Sequence, residues 1–249
     1  MTISVALITK NEETNVEICL ESVKWADEIV VVDSGSSDRT VELARQYTSK
    51  IFPYPFCNFA DQKNEALKRC NGDWIFFIDA DERVTPLLAT EIQLTARSLP
   101  NAVYQVKRTT ILFGKELKYS GTQNDFQTRL FPKGRAHFEQ PIHEKVITTL
   151  PIRQLRHSLL HNSTANMREY KVKFNQYLSL EIAYIKQTGR KISAFDLILR
   201  PPAKFIILYV FKLGFLDGQA GLKVAVLATY YDFMKFFKGW KISRASQRQ

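Results

Sequence analysis

Cysteine is scarce in this 249-residue chain, and the three present, Cys19, Cys57 and Cys70, are odd in number with no Cys-x-x-Cys spacing. That argues against a disulfide framework or a cysteine-built zinc site and fits a reducing cytosol. Long uncharged apolar runs are missing too. The run from Ile3 to Ile8 is shorter than a signal-peptide core and has no basic segment before it, so a buried strand is the expectation there. The apolar stretches 205–211 and 224–231 are interrupted or bounded by Lys204, Lys212, Lys223, Asp232 and Lys235. Neither approaches the roughly 18–20 uncharged residues of a spanning helix. Ten Gly and nine Pro leave no room for a long flexible linker, and neither an internal repeat nor a low-complexity tract is present. With 45% hydrophobic and 24% charged residues, the composition is globular rather than disordered or collagen-like.

Acidic residues are what the last two-fifths lacks. Residues 1–150 carry 18 Lys+Arg and 20 Asp+Glu, whereas residues 151–249 carry 17 and 5, so the formal charge of +10 resides entirely in the second segment. The chain reads as a neutral body followed by a basic section.

The first half alternates strand and helix patterns. Ile3–Thr9, Glu28–Asp33 and Trp74–Asp79 are short apolar runs that read as buried strands. Thr14 stands three residues before Glu17, a capping-box spacing that predicts a helix to about Val23. Further helices are expected around Val41–Tyr47, over Phe59–Arg69, and from the Thr85-Pro86 cap through Ala96. Continuous apolar strands separated by helix-length segments indicate a mainly parallel sheet covered on both faces. From Ala102 onward shorter strand-like pieces follow (Ala102–Thr109, Phe126–Phe131, Glu144–Thr149, Leu155–Leu160). From about Ala165 helices take over, with Pro201-Pro202 as punctuation between two groups.

Ligands of open α/β sheets bind beyond the carboxyl ends of the strands. Three runs end there in polar residues: Thr9-Lys10-Asn11-Glu12, Asp33, and Asp79-Ala80-Asp81. In extended backbone Asp79 and Asp81 project to one side. Two hard oxygen ligands on a strand end suit Mg²⁺ or Mn²⁺ with phosphate oxygens completing the shell. Eleven Asp predict about 0.5 Asp-x-Asp occurrences by chance, so position after WIFFI carries the weight. The alternative is that both aspartates cap the following turn.

The ordered set ALITKNEE, EIVVVDSGSSDRT, FADQKNEAL and DWIFFIDADE resembles glycosyltransferase family 2 with the GT-A fold. RLF (129–131), IHE (142–144), the His161 region and GFLDGQAGL (214–222) extend the resemblance toward the branch that includes lipopolysaccharide-core β-glucosyltransferases. It implies a Rossmann-like, mainly parallel sheet flanked by helices, with a catalytic domain over 1–164 and a basic helical region over 165–249. It also implies that Thr9, Glu12 and Asp33 hold the base and ribose of a nucleotide sugar, UDP-linked by expectation. Asp79 and Asp81 would hold ribose and the metal–diphosphate, His161 would reach the metal or diphosphate, and Lys63 would face the nucleotide unless it is a plain exposed helix lysine.

Sugar transfer from such a donor requires neutralising a diphosphate leaving group, which a bound Mg²⁺ or Mn²⁺ does as a Lewis acid. It also requires a base for the acceptor hydroxyl. Glu144 is the first candidate base and Asp125 the second, each alternatively a salt-bridged carboxylate. Arg129 could pair with a phosphate or acceptor anion through its planar fork, or serve a structural ion pair. A zinc pair of His157 and His161 is not expected, because the segment reads as strand and no His-Glu-x-x-His pattern is present.

Residues 200–249 hold nine basic residues against two acids, interleaved with aromatics. That composition fits a segment on an anionic membrane surface, with plain packing as the alternative and nucleic acid not expected as a partner. The sequence therefore points to an inverting, metal-dependent transferase. It would act on a lipid-linked saccharide, peripheral on the inner face of the cytoplasmic membrane, with oligomeric state open. The competing readings are a non-catalytic basic module and a nucleotidyltransferase. The latter would call for a glycine-rich loop where ITKNEE stands.

Overall fold

A computed structural model describes residues 1–98, 101–140, 144–164 and 166–245. Ile142 and His143 of the IHE segment, and Ala165 at the expected start of the helical region, lie outside the described residues.

Strands β1 (Ile3–Thr9), β2 (Glu28–Asp33), β3 (Ile51–Pro53) and β4 (Trp74–Asp79) form a parallel block in the order β3-β2-β1-β4. Alternate residues of the central strands enter two separate cores. Leu7 and Phe76 pack with Val16, Leu20, Leu88 and Ile92, whereas Ala6 and Phe77 pack with Val32, Ala66, Leu67 and Phe131. Both faces are covered, which is why these strands read as unbroken apolar runs. Beyond β4 the sheet turns mixed. After β5 (Glu82–Arg83) come β6 (Val103–Leu112), β7 (Lys115–Glu116) and β8 (Phe126–Pro132). They are followed by β9 (His137–Glu139), β10 (Lys145–Ile147), β11 (Ile152–Gln154) and β12 (Leu159–Thr164). The full order is β3-β2-β1-β4-β8-β6-β12-β5, with β8 antiparallel to both β4 and β6. The parallel part is thus the half that the amino-terminal motifs occupy.

Helices α1 (Val16–Glu21), α2 (Thr40–Ala44), α3 (Phe59–Arg69) and α4 (Pro86–Arg97) flank this sheet. Thr85 caps α4 by accepting from Leu88 N, as expected. The Thr14–Glu17 capping box is not formed. Asn15 is the N-cap of α1 without a side-chain cap bond, because its Nδ2 donates to Glu12 and its Oδ1 accepts from Arg83. Two strand expectations also shift: Glu144–Thr149 shortens to β10, and Leu155–Leu160 gives way to β11 and β12 on either side of an irregular turn.

The chain forms two compact units, Met1–Thr109 with Asp125–Asn162, and Thr110–Asn124 with the segment from Ser163. The second unit contains α5 (Met167–Thr188), α6 (Ala194–Ile206) and α7 (Gly218–Ala245). Pro201 and Pro202 lie inside α6 rather than between helices. Proline's fixed φ is helical, and α6 runs directly into a π-helical turn over Ile207–Phe211. The GFLDGQAGL segment is a packing device of this unit. The Asp217 carboxylate accepts from Lys118 N (3.0 Å), Tyr119 N (3.1 Å) and Ser120 Oγ (2.8 Å). Gly221 lies so close to Gly214 that a Cβ there would stand 1.8 Å from its carbonyl oxygen.

Candidate active site

Register brings three strand ends to one rim. Thr9 pairs with Asp33 across β1–β2, and Ile8 pairs with Asp79 across β1–β4. At the β1–β2 end, Thr9 Oγ1 donates to Asp33 Oδ1 (3.0 Å), and Asp33 Oδ2 accepts from the backbone of Gly35 and Ser36 (both 2.9 Å). Thr9 and Asp33 are both buried, and their bonds shape the loop 34–36, where Gly35 takes φ +78°. Glu12 lies nearby: its backbone N–H donates to Thr40 Oγ1 and its carboxylate accepts from Asn15.

The end of β4 is an ion-pair network. Asp79 faces two cations, Arg129 Nη2 at 2.6 Å and Lys63 Nζ at 3.3 Å. Lys63 is 4% exposed, so it is not a solvated helix lysine. Its ammonium lies over the rings of Phe77 (4.8 Å) and Phe138 (5.3 Å) and donates to Glu144 Oε1. Arg129 Nη2 also lies 2.5 Å from Glu82 Oε1, and Glu82 Oε2 accepts from Asp79 N. Burial by itself would raise the Asp79 carboxyl, but Arg129 and Lys63 outweigh it and hold it well below the usual carboxylate range. Burial pushes the Glu82 carboxyl above that range, Arg129 pulls it back, and Asp79 adds to the rise.

Asp81 does not share this environment. It sits in the turn after β4 rather than in extended backbone, so the two aspartates face different partners. Asp81 Oδ2 lies 3.6 Å from His161 Nε2, while His161 Nδ1 is buried with no hydrogen-bond partner among the described residues. His157 faces Glu91 (2.9 Å) instead of His161. No group of three or more His, Cys, Asp or Glu side chains that could hold a metal ion occurs among the described residues. The Asp81–His161 pair offers one oxygen and one nitrogen donor, a set open to a divalent cation whose remaining ligands are substrate phosphates. Asp79, paired with two cations, does not fit as a ligand in this arrangement.

The two candidate bases differ. Glu144 is side by side with Lys63 at the network's edge. Asp125 is gripped by Arg108 through Nε (2.9 Å) and Nη2 (3.2 Å) and by Gln127 Nε2 (2.8 Å). That bidentate clamp makes Asp125 a structural partner of Arg108. Glu82 and Arg108 escaped the sequence reading. Glu82 lies within the DADE motif, and its burial beside Arg129 comes from the placement of β5. Arg108 carries no local signal at all.

The fold is of the GT-A class, and its parallel strand ends gather carboxylates beside a buried lysine and arginine. The crystal structure of S. aureus TarS 1–349 shares the fold, with TM-score 0.50 and 15% identity, covering 100% of this chain and 92% of that one. Residues 4–166 match the glycosyl transferase family 2 profile, and the chain belongs to that family. It is 31% identical over 241 residues (93% of this chain, 89% of the relative) to the lipopolysaccharide core biosynthesis glycosyltransferase LpsC of Rhizobium meliloti. It is 28% identical over 259 residues (98% and 89%) to an uncharacterized glycosyltransferase of Rickettsia prowazekii. The protein is a glycosyltransferase.

Proposed function

We propose that this transferase moves a sugar from a UDP-linked donor to a lipid-linked saccharide of the cell envelope, of the lipopolysaccharide-core kind, at the cytoplasmic face of a membrane, with inversion at the anomeric carbon. The acceptor class is supported by the similarity to the lipopolysaccharide core biosynthesis glycosyltransferase LpsC of Rhizobium meliloti. The observation that carries the chemistry is the shared rim of Thr9, Asp33 and Asp79, with Asp81, His161 and Glu144 on the same unit.

Thr9, Asp33 and the loop 34–36 line the place of the base and ribose, with Glu12 supporting the loop's far side through Thr40. The network of Lys63, Arg108 and Arg129 with Asp79, Glu82, Asp125 and Glu144 has three cations against four carboxyl groups. It therefore offers a diphosphate no surplus positive charge. Asp81 and His161 would hold a Mg²⁺ or Mn²⁺ ion, which when bound supplies Lewis-acid neutralisation of the leaving diphosphate. Glu144 accepts the proton of the acceptor hydroxyl as its oxygen bonds to the anomeric carbon and the carbon–phosphate oxygen bond breaks. Lys63 holds Glu144 in place and Arg129 holds Asp79, so neither cation needs to reach the donor.

The test is a thermal-shift titration of UDP with and without MnCl₂, since a ligand of the native state raises its melting point. UDP is expected to raise Tm chiefly when Mn²⁺ is present, and Asp81→Ala should abolish the metal-dependent part. An equal shift in the variant would overturn the cation assignment, and no shift with UDP would overturn the donor.

A further inference from the structure

Helix α6 is inside out. A helix packed on a folded body shows water its polar face, yet one exposed side of α6 is apolar, with Phe195, Ile198, Leu199, Pro202 and Ile206 spaced three or four residues apart, while Arg200 is exposed on another side. Phe195 is 68% exposed and Ile198 66%. The opposite side packs on α7: Pro201 is buried, and Arg200, paired with Asp196 at 2.6 Å, lies over the Phe236 ring at 5.5 Å. The apolar stripe runs on into the π-helical turn, where Phe211 reaches 74% exposure, and past the break at Lys212-Leu213 to Phe215 and Leu216. A contiguous apolar surface of this length is an interaction site.

Charge selects its occupant. Between residues 190 and 216 stand Arg190, Lys191, Arg200, Lys204 and Lys212 against one acid, Asp196, which is already engaged by Ser193 and Arg200. A second copy docked on the same stripe would bring these cations against their own symmetry mates. An anionic lipid surface instead answers both features, with acyl chains for the stripe and phosphates for the cations. No single described helix is long and apolar enough to cross a membrane, and the segments Ala194–Phe211 and Gly214–Arg244 meet at 70°. Phe211 and Phe215 stand on either side of the break at this bend.

We infer that the Phe195–Leu216 face of the second unit inserts into the interface of an anionic phospholipid bilayer. It extends the basic 200–249 segment of the sequence reading upstream by a full turn and gives it an apolar depth. Vesicle binding needs neither donor nor acceptor, so its failure would leave the transferase reading untouched, and the reverse.

The experiment is flotation of the full chain with vesicles of phosphatidylcholine alone or with 30% phosphatidylglycerol (about one lipid in three), at low and high salt. The wild type should float with the anionic vesicles, less at high salt. The triple variant Phe195→Ser/Ile198→Ser/Phe211→Ser, whose sites are all exposed, should lose at least about tenfold in bound fraction with unchanged circular dichroism. Should that variant fail to fold, Phe211→Cys in a Cys57→Ser background, labelled with an environment-sensitive fluorophore, should blue-shift on anionic vesicles only. Equal flotation of wild type and variant, no blue shift, or concentration-dependent dimerisation abolished by the triple variant without vesicle binding would each overturn the inference.

Discussion

Lys63 and Glu144, 81 residues apart in the chain, meet through the Lys63 ammonium and Glu144 Oε1. α3 carries the lysine and the segment before β10 carries the glutamate, so the contact joins the parallel half of the sheet to the later strands. Buried between two phenyl rings, the ammonium has few other places to go.

Removing that ammonium is expected to act on turnover. Lys63→Met keeps an unbranched apolar side chain of similar length but removes the ammonium that lies over Phe77 and Phe138 and positions Glu144. A misplacement of about 1 Å costs on the order of 100-fold in rate. Steady-state kinetics should therefore show kcat down by about two decades with a smaller change in donor KM. A shift in KM alone would mean that Lys63 serves donor binding instead.

Acid stability should report on Glu28. Its carboxylate accepts from Asn71 N (2.7 Å), Asn71 Nδ2 (3.0 Å), Ser4 and Lys50. Burial opposes ionisation there, but these donors bring the group from its ordinary 4.5 down to about 2. A folded value below the unfolded one means the stabilisation is complete above about pH 4.5 and disappears as pH falls through about 2. At ~1.4 kcal/mol per pKa unit it amounts to about 3 kcal/mol at neutral pH. The stability gap between wild type and Glu28→Gln, read by urea unfolding, should be near that size at pH 7 and close gradually below pH 4.5. A gap independent of pH would place the effect in packing.

Gly221 should tolerate no side chain. In Gly221→Ala the new methyl would meet backbone 1.8 Å away, and backbone cannot rotate aside as a long side chain can. The turn at Gly214 and the start of α7 would have to separate, at a cost of about 3 kcal/mol or more. Faster proteolytic cutting within residues 110–124 and 163–245, with the first unit intact, is the expected signature. Unchanged digestion would show that the close approach is not maintained in solution.

Several elements were legible because their causes are local. Trp74–Asp79 and Phe59–Arg69 begin and end where expected, since apolar runs and Asn58's cap act within a few residues. The register that aligns Thr9, Asp33 and Asp79 is seen only in the fold, because strands buried on both faces carry no alternation that would fix it. The proline pair misled because its two fixed φ angles are compatible with a helix once α7 supplies a surface to pack on. Asp79 and Asp81 looked alike because two-residue spacing implies one side only while the chain stays extended, and it turns after Asp79.

Sequence by itself determined the family, the parallel half of the sheet, and which residue types stand at its carboxyl edge, because alternation, caps and ordered motifs are written in neighbouring residues. Only the tertiary structure decided which charge meets which: that Arg129 and Lys63 hold Asp79, that Asp81 turns to His161, and that α6 shows water its apolar side. Those are contacts between residues tens of positions apart, and electrostatic and burial energies depend on distance in space, which spacing along the chain does not encode.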